Sequence, residues 1–303
     1  GHVEAARANG ADLVVLASHN GFDVDRKLAS RVDGIDVILT GHTHDAIPGL
    51  VKVNDTLMAA TGSHGKFLGR LDLDVQNKKI KDYRYKLMPV FSDAIAPDSE
   101  IDSVVKVIRA PHEKQLNEVL ARTDSTLYRR GNFNGTFDDL ICQAIMQERD
   151  TQIALSPGFR WGRSLPAGAD ITGDDLFTQT AITYPECYRN EMTGELLKTI
   201  LEDVADNLFN PDPYYQQGGD MVRVGGMGYS IDVSKPIGER ISGMTLLKTG
   251  EPIDAAKNYV VGGWASVNPE VEGPAIYDVV ADYLRKEKVV NVPDNTSIKI
   301  SGI

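Results

Sequence analysis

Two apolar runs, each followed by a histidine-containing loop, most constrain how this chain can fold. Residues 13–17 lead into His19, and residues 35–40 lead into His42 and His44. Short apolar runs of this kind, separated by a helical stretch, are typical of buried parallel strands. The carboxyl ends of parallel strands meet at one edge of a sheet, where the ligand sites of α/β proteins collect. We therefore expect the three imidazoles to face one crevice.

The residue types at this edge predict a metal site. Imidazole is the commonest metal ligand in proteins, and histidine with oxygen ligands suits several divalent ions, zinc among them. The alternative is two unrelated groups of loop histidines. His64 follows a further strand-like run, and we interpret it as a surface-loop histidine that can border the site.

Composition excludes several classes of protein. The chain has 303 residues, 42% hydrophobic and 25% charged, which is typical of a globular protein that can hold two cores. Its net charge of −11 argues against nucleic-acid binding, which requires a basic surface. No apolar run is long enough to span a bilayer, so no membrane partner is expected. Cys142 and Cys187 give no disulfide framework.

Periodicity predicts the elements that follow the histidine loops. Residues 71–75 alternate apolar and acidic side chains, which indicates a half-exposed strand with a turn at 77–79 and a partner strand at 80–87. Apolar residues from Ile101 to Leu120 form a helical stripe, which Pro111 should kink or divide. Thr136 begins a stretch like a capping box, whose helix should bury Phe137, Leu140 and Ile141, and Thr193 is predicted to cap a later helix.

Arginines in the later half are candidates for binding an anion. Arg160 and Arg163 lie in a loop with Pro157, and Arg189 follows a Tyr-Pro-Glu-Cys-Tyr stretch. The planar guanidinium fork suits a phosphate or sulfonate, because it donates two parallel hydrogen bonds. The alternative for each arginine is an ion pair with a nearby carboxylate.

Several segments together resemble a known family. The sequence Leu-Ala-Ser-His-Asn-Gly at 16–21, Asp25, and Gly-His-Thr-His at 41–44 resemble the later metal-binding motifs of the metallophosphatase domain in 5′-nucleotidase-type enzymes. The stretches at 184–189 and 212–223 are similar to SoxB-type thiosulfohydrolases, a family of bacterial sulfur oxidation.

The resemblance implies a fold and a set of cofactors. It implies an α/β fold, with a partial metallophosphatase α/β sandwich at 1–93, a connector helix at 94–122, and a 5′-nucleotidase-type C-terminal α+β domain at 123–303. It further implies two divalent metal ions, manganese or else zinc, with His19 and His42 on one ion and His44 on the other. The family's first metal ligands and bridging carboxylate are not found here, so the chain alone is expected to be an inactive part of a longer protein.

The resemblance also implies a function. The expected reaction is hydrolysis of a cysteine-bound S-sulfonate on a SoxYZ-type carrier protein in the periplasm, with release of sulfate. Arg160 aligns with the substrate-contacting arginine of the family's Asn-Gly-Gly-x-Arg loop, and Arg163 and Arg189 are further catalytic candidates. Alternatives are a 5′-nucleotidase-like phosphoesterase and a non-catalytic module that docks a carrier. The aromatic candidates for substrate or partner binding are Tyr188, Tyr214, Tyr215 and Trp264.

Overall fold

The computed structural model describes all 303 residues, which form two compact units. The first comprises Gly1–Val104 together with Pro211–Gly218, and the second comprises Val105–Asn210 together with Gly219–Ile303. The short segment Pro211–Gly218 therefore belongs to the first unit although it lies late in the sequence. None of the helices is both long and apolar enough to cross a membrane.

The first unit is built on a four-stranded sheet of order β1-β2-β4-β3. Strands β1, β2 and β4 are parallel, and β3 runs antiparallel to β4. Its elements are α1 (His2–Ala8), β1 (Val15–Ser18), α2 (Phe22–Ala29), β2 (Val37–Thr40), β3 (Val51–Val53), β4 (Thr56–Ala60), β5 (Phe67–Gln76), β6 (Lys79–Pro89) and α3 (Ser99–Arg109), the last of which runs on into the second unit.

A small hydrophobic core fixes the position of the sheet in this unit. Ala29 of α2 packs with Ile35, Ile38 and Met58, and Val3 of α1 is packed against the same cluster. Strand β4 is buried along its whole length. The sequence-predicted runs at 13–17 and 35–40 thus become β1 and β2, each slightly shorter at its start.

The predicted hairpin after β4 is confirmed. Strands β5 and β6 pair antiparallel, and exposure alternates along the first part of β5. Asn77 and Lys78 form the turn with φ values of 51° and 61°. Two consecutive left-handed residues match the right-handed twist of the flanking strands, which is why such turns close hairpins.

The predicted helical stripe is shorter than expected. Helix α3 ends at Arg109, and a 3₁₀ turn that contains Pro111 follows it, because proline has no N–H to continue the helix. The prediction that Val119 and Leu120 continue the helix is wrong: they begin a strand, Val119–Thr123, whose backbone pairs with two other strands.

The second unit contains three sheets, of orders β10-β14-β8-β11, β13-β12-β16 and β15-β7-β9. Its elements are α4 (Glu113–Leu116), β7 (Val119–Thr123), α5 (Thr136–Glu148), β8 (Ile153–Ser156), β9 (Asp170–Thr172), α6 (Gly173–Thr180), β10 (Tyr188–Thr193), α7 (Gly194–Phe209), β11 (Arg223–Gly225), β12 (Met227–Asp232), β13 (Ile241–Leu246), β14 (Asn258–Gly263), α8 (Ile276–Glu287), β15 (Val289–Val290) and β16 (Ile298–Ser301).

Helix α5 lies at the centre of one of the two hydrophobic cores of this unit. Phe137, Leu140 and Ile141 are fully buried there, as the sequence predicts. The predicted capping role of Thr136 is wrong, because Gly135 is the N-cap and the Thr136 hydroxyl instead donates to a backbone carbonyl. The predicted cap at Thr193 does accept the N–H of Leu196.

We predict that Ile141→Ala destabilises the second unit by about 3 kcal/mol, because it leaves a cavity in a closed core. Ile237→Ala, at a site that is 54% exposed, is the matched control and should change stability little. Tryptophan fluorescence during urea unfolding can follow this unit, since both tryptophans, Trp161 and Trp264, lie in it. Equal effects of the two substitutions would contradict the proposed core.

Candidate metal centre and anion-binding arginines

The parallel strands of the first unit deliver histidines to one edge of the sheet. His19 follows β1, His42 and His44 follow β2, and His64 follows β4. Because β1, β2 and β4 all run the same way, these strand ends lie side by side. The edge is therefore rich in imidazole.

The histidines lie in two pairs. The ring centroids of His19 and His42 are 5.1 Å apart, and those of His44 and His64 are 5.4 Å apart, each in an edge-on arrangement. Gly41 permits the first approach, since a Cβ there would lie 3.3 Å from His19 Nδ1. His64 is an exposed loop histidine, as the sequence interpretation expects, and its place after a third parallel strand brings its ring beside His44.

The loop backbone at these histidines is unusual. His42 and His44 have φ values of 71° and 59°, and His64 has 59°. A left-handed conformation is uncommon for a residue with a side chain, and it occurs mostly where function or surrounding contacts require it. Here it occurs at three histidines in the loops that follow β2 and β4.

A buried carboxylate holds two of the strand ends together. Asp25 of α2 is inaccessible to solvent and accepts hydrogen bonds from Ser18 Oγ at 2.7 Å and Thr40 Oγ1 at 2.5 Å. It also accepts from Asn20 Nδ2 at 3.3 Å. Because Ser18 and Thr40 are the last residues of β1 and β2, Asp25 fixes the positions from which the loops to His19 and His42 depart. In the sequence, Asp25 is recognisable only as part of a motif, and its role in holding the two strand ends is not.

The segment Pro211–Gly218 forms a strap over this part of the unit. Lys27 of α2 makes an ion pair with Asp212, and its Nζ lies 4.2 Å from the centre of the Tyr214 ring. The Lys27 hydrogen bond lowers the pKa of Asp212. At the other end of the strap, the Gln217 carbonyl oxygen lies 2.5 Å from His42 Nε2. The strap thereby occupies one nitrogen of the His42 ring and leaves Nδ1 as the nitrogen available to another ligand.

Tyr214 and Tyr215, predicted as partner-binding residues, lie in this strap. Tyr214 is 42% exposed, with one approach covered by Lys27, and Tyr215 is 70% exposed. Only Tyr215 therefore presents most of its ring to solvent.

The donor set of this edge fits a divalent metal in type. Neutral imidazole nitrogens suit zinc among other divalent ions, and each histidine pair brings two rings close together. The set is not a complete ligand shell, since no group of three or more His, Cys, Asp or Glu side chains in the chain could hold an ion. His19, His42 and His44 are the residues that would contribute ligands, and the exposed His64 ring lies beside His44.

The arginine loop of the second unit has a different environment at each arginine. Arg160 keeps 15% of its side chain exposed, and its Nε lies 3.6 Å from Asp220 Oδ1. Arg163 forms a 2.6 Å ion pair with Asp175, which also accepts from Thr172 at the start of α6. Arg160 therefore contacts mainly one carboxylate. Arg163, by contrast, stabilises the N-terminus of α6 through its ion pair with Asp175.

Arg189 is bound to the backbone. It donates to the carbonyl oxygens of Arg149 and Asp150 after α5, and its Nη2 lies 3.8 Å from the Asp150 carboxylate. These contacts engage Nε and Nη2 of Arg189 just after the end of α5. Arg163 therefore matches the ion-pair alternative and Arg189 has mainly backbone partners, so Arg160 is the arginine best placed to meet an anion.

Asp220 belongs to a buried network that sequence reasoning missed. Arg223 donates to Asp220 at 3.0 Å and lies 3.3 Å from Asp138, which in turn accepts from Arg129 at 2.7 Å. Arg129, Asp138 and Arg223 have no exposed side-chain surface. Burial raises the pKa of Asp138, while the two guanidinium groups beside it act in the opposite direction. Charges so far apart in sequence give no local pattern, so only the fold reveals them.

The other aromatic candidates border a small cleft of about 290 Å³ in this unit. Tyr188 lines it, and burial raises the pKa of its hydroxyl to about 12. Trp264 is only 4% exposed and donates its indole N–H to Ser156 Oγ at 2.8 Å. The expectation that Trp264 lines an open channel does not fit this burial, because the ring is packed within the core and shows the cleft little surface.

Comparison with known proteins places these units in a family. The model of the 5′-nucleotidase C-terminal domain matches residues 114–267. Among solved structures, the sulfate thiohydrolase SoxB of Thermus thermophilus, in complex with glycerol, superimposes with a TM-score of 0.93 at 36% identity over 99% of this chain and 57% of its own. The α/β fold class expected from the sequence is thereby confirmed.

More distant relatives share the same architecture. A 5′-nucleotidase precursor, also from Thermus thermophilus, matches with a TM-score of 0.83 at 22% identity, over all of this chain and 66% of its own. The 5′-nucleotidase of Rattus norvegicus is 21% identical over 99% of this chain and 60% of its own length. The chain thus spans about 60% of the length of these relatives.

We predict that Asp25→Ala destabilises the first unit by about 3 kcal/mol, because three side-chain donors lose their buried acceptor. Hydrogen exchange should accelerate at the ends of β1 and β2. Asp23→Ala, on the exposed face of the same helix, is the control. Unchanged exchange at Ser18 and Thr40 would show that the carboxylate does not hold the strand ends.

We predict that Lys27→Met loosens the strap, because methionine keeps the aliphatic stem but loses the ion pair and the cation–π contact. Amide exchange in residues 211–218 should become about fivefold faster. Arg26→Met, at an exposed position of α2, should leave that exchange unchanged. The same rate in both variants would mean that other contacts hold the strap.

Proposed function

We propose, from the premise that this chain belongs to the 5′-nucleotidase family, that it is part of a SoxB-type thiosulfohydrolase. The substrate would be a cysteine S-sulfonate on a SoxYZ-type carrier protein, in the periplasm, and the product would be sulfate. The observation that carries the proposal is the 36% identity and TM-score of 0.93 with SoxB over 99% of the chain, against 22% and 0.83 for the solved 5′-nucleotidase precursor.

The reaction is a substitution at sulfur. The oxygen of water bonds to the sulfonate sulfur, the S–S bond breaks, and its electron pair leaves on the cysteine sulfur. One proton stays with the thiol and another is released with sulfate. Bound divalent metals, proposed here to be manganese with zinc as the alternative, provide a Lewis acid and activate water for such an attack.

The histidines and Arg160 would have separate roles in this reaction. His19, His42 and His44 would supply nitrogen ligands, with the His42 ring oriented by the Gln217 carbonyl. Arg160 would bind the sulfonate oxygens, where its charge offsets the negative charge that grows as oxygen approaches sulfur. We expect the ligand shells to be completed by residues outside this chain, since its own side chains do not form a full site.

A 5′-nucleotidase-like phosphoesterase is the second candidate, supported by the C-terminal domain match. A nucleotide site needs an aromatic ring free to stack on the base. Tyr184 is 37% exposed, but Trp264, another aromatic candidate of this unit, is buried. The burial of Trp264 favours a substrate that has no nucleobase.

We predict that the full-length protein with Mn²⁺ releases sulfate from an S-sulfonated cysteine peptide, and that Arg160→Lys lowers kcat/KM about 100-fold. Lysine keeps the charge but loses the planar fork. Arg189→Lys, whose contacts are to backbone carbonyls, is the control and should retain activity. Sulfate and phosphate release are measured in parallel with AMP as the competing substrate. Hydrolysis of AMP without action on the peptide would overturn the proposal.

A further inference from the structure

Five charged side chains of the second unit form a line of alternating sign. Arg129 Nε donates to Asp138 Oδ1 at 2.7 Å, and Arg223 Nε lies 3.3 Å from Asp138 Oδ2. Arg223 Nη2 reaches Asp220 Oδ2 at 3.0 Å, and Arg160 Nε lies 3.6 Å from Asp220 Oδ1. Both Asp220 oxygens are thus directed at guanidinium groups.

The line ends at its only accessible member. The first three side chains are fully buried and Asp220 is 1% exposed, whereas Arg160 is 15% exposed. Three cations and two anions leave one positive charge in excess. Since the inner charges are paired, that excess belongs to Arg160, and neither of its terminal nitrogens makes a hydrogen bond to the protein.

The Asp220 carboxylate cannot easily leave Arg160. Arg223 holds its other oxygen, and its backbone is packed against the arginine loop: a Cβ on Gly158 would lie 2.6 Å from the Asp220 carbonyl oxygen. Burial raises the pKa of Asp220, while Arg223 and Arg160 oppose that effect. Because Asp220 pairs with guanidinium groups on both sides, an anion that reaches Arg160 meets the Asp220 carboxylate beside it.

We propose that Asp220 is a specificity-determining residue that removes the advantage which a doubly charged phosphate ester would otherwise have over a singly charged sulfonate at the Arg160 site. This rests on the proposed function, in which Arg160 binds the substrate anion. An S-sulfonate carries one negative charge, whereas a phosphate monoester carries close to two near neutral pH. Arg160 attracts each charge of the ligand and Asp220 repels each, so the second charge adds little binding.

The test compares S-sulfocysteine with O-phosphoserine, two amino acids that differ mainly in the charge of the terminal group. Both are titrated at pH 8 with a chelator present, so that metal ions make no contribution. Binding is followed through the Arg160 Nε–H signal in NMR spectra. In the wild type the two dissociation constants should agree within about threefold, and in Asp220→Asn O-phosphoserine should gain about tenfold relative to S-sulfocysteine.

Asp206→Asn is the matched control. It removes an aspartate that pairs with another buried arginine, Arg240, at 2.8 Å, and it changes net charge equally. The ratio of the two constants should stay at the wild-type value. If Asp220→Asn does not fold, Asp220→Asn with Arg223→Gln removes both charges together, which leaves no uncompensated buried charge and should produce the same change in ratio.

The outcomes separate this inference from the proposed function. An unchanged ratio in the Asp220 variants, with both ligands still perturbing Arg160, overturns the role of Asp220 and leaves the proposed function in place. If neither ligand perturbs Arg160 in the wild type, Arg160 is not the anion contact, and the inference falls with that part of the proposal. A selective gain for O-phosphoserine, absent from Asp206→Asn, supports it.

Discussion

Parallel pairing of three short strands determines where chemistry can lie in the first unit. Each of β1, β2 and β4 is only four or five residues long, yet all three end at the same edge and each is followed by histidine. Reversal of any one strand would carry its imidazole to the opposite edge. Asp25 then adds what strand direction alone cannot, since one buried carboxylate fixes the distance between the ends of β1 and β2.

The regular parts of the fold could be predicted because their causes are local. Alternation in β5, a two-residue turn and an apolar helix face at α5 each depend on residues close together in the sequence. The predictions of secondary structure and capping were wrong where contacts between residues distant in sequence determine the local structure. Val119 and Leu120 fit a helical period, but backbone pairing with β9 and β15 makes them a strand. Thr136 resembles a cap, but Thr126 already engages its hydroxyl.

The candidate site also has features that could be predicted from the sequence and features that could not. Strand ends predicted the positions of His19 and His42, because direction and sequence suffice. The contact between the His64 and His44 rings could not be predicted, because it depends on β4 lying beside β2. Which arginine can meet an anion was not decidable from spacing: Arg160 and Arg163 belong to the same loop, and only the fold gives one to Asp220 and the other to Asp175.

The buried line from Arg129 to Arg160 is a poor device for stability. Taking several charges out of water costs more than their attraction readily returns, and apolar side chains of similar volume often stabilise a core as well or better. What such a line does supply is position, since each carboxylate is held from two sides and cannot rotate towards solvent. A chain with net charge −11 can thereby present one oriented guanidinium at a chosen place. In the proposed function, this local arrangement rather than the overall charge would decide which anions bind at Arg160.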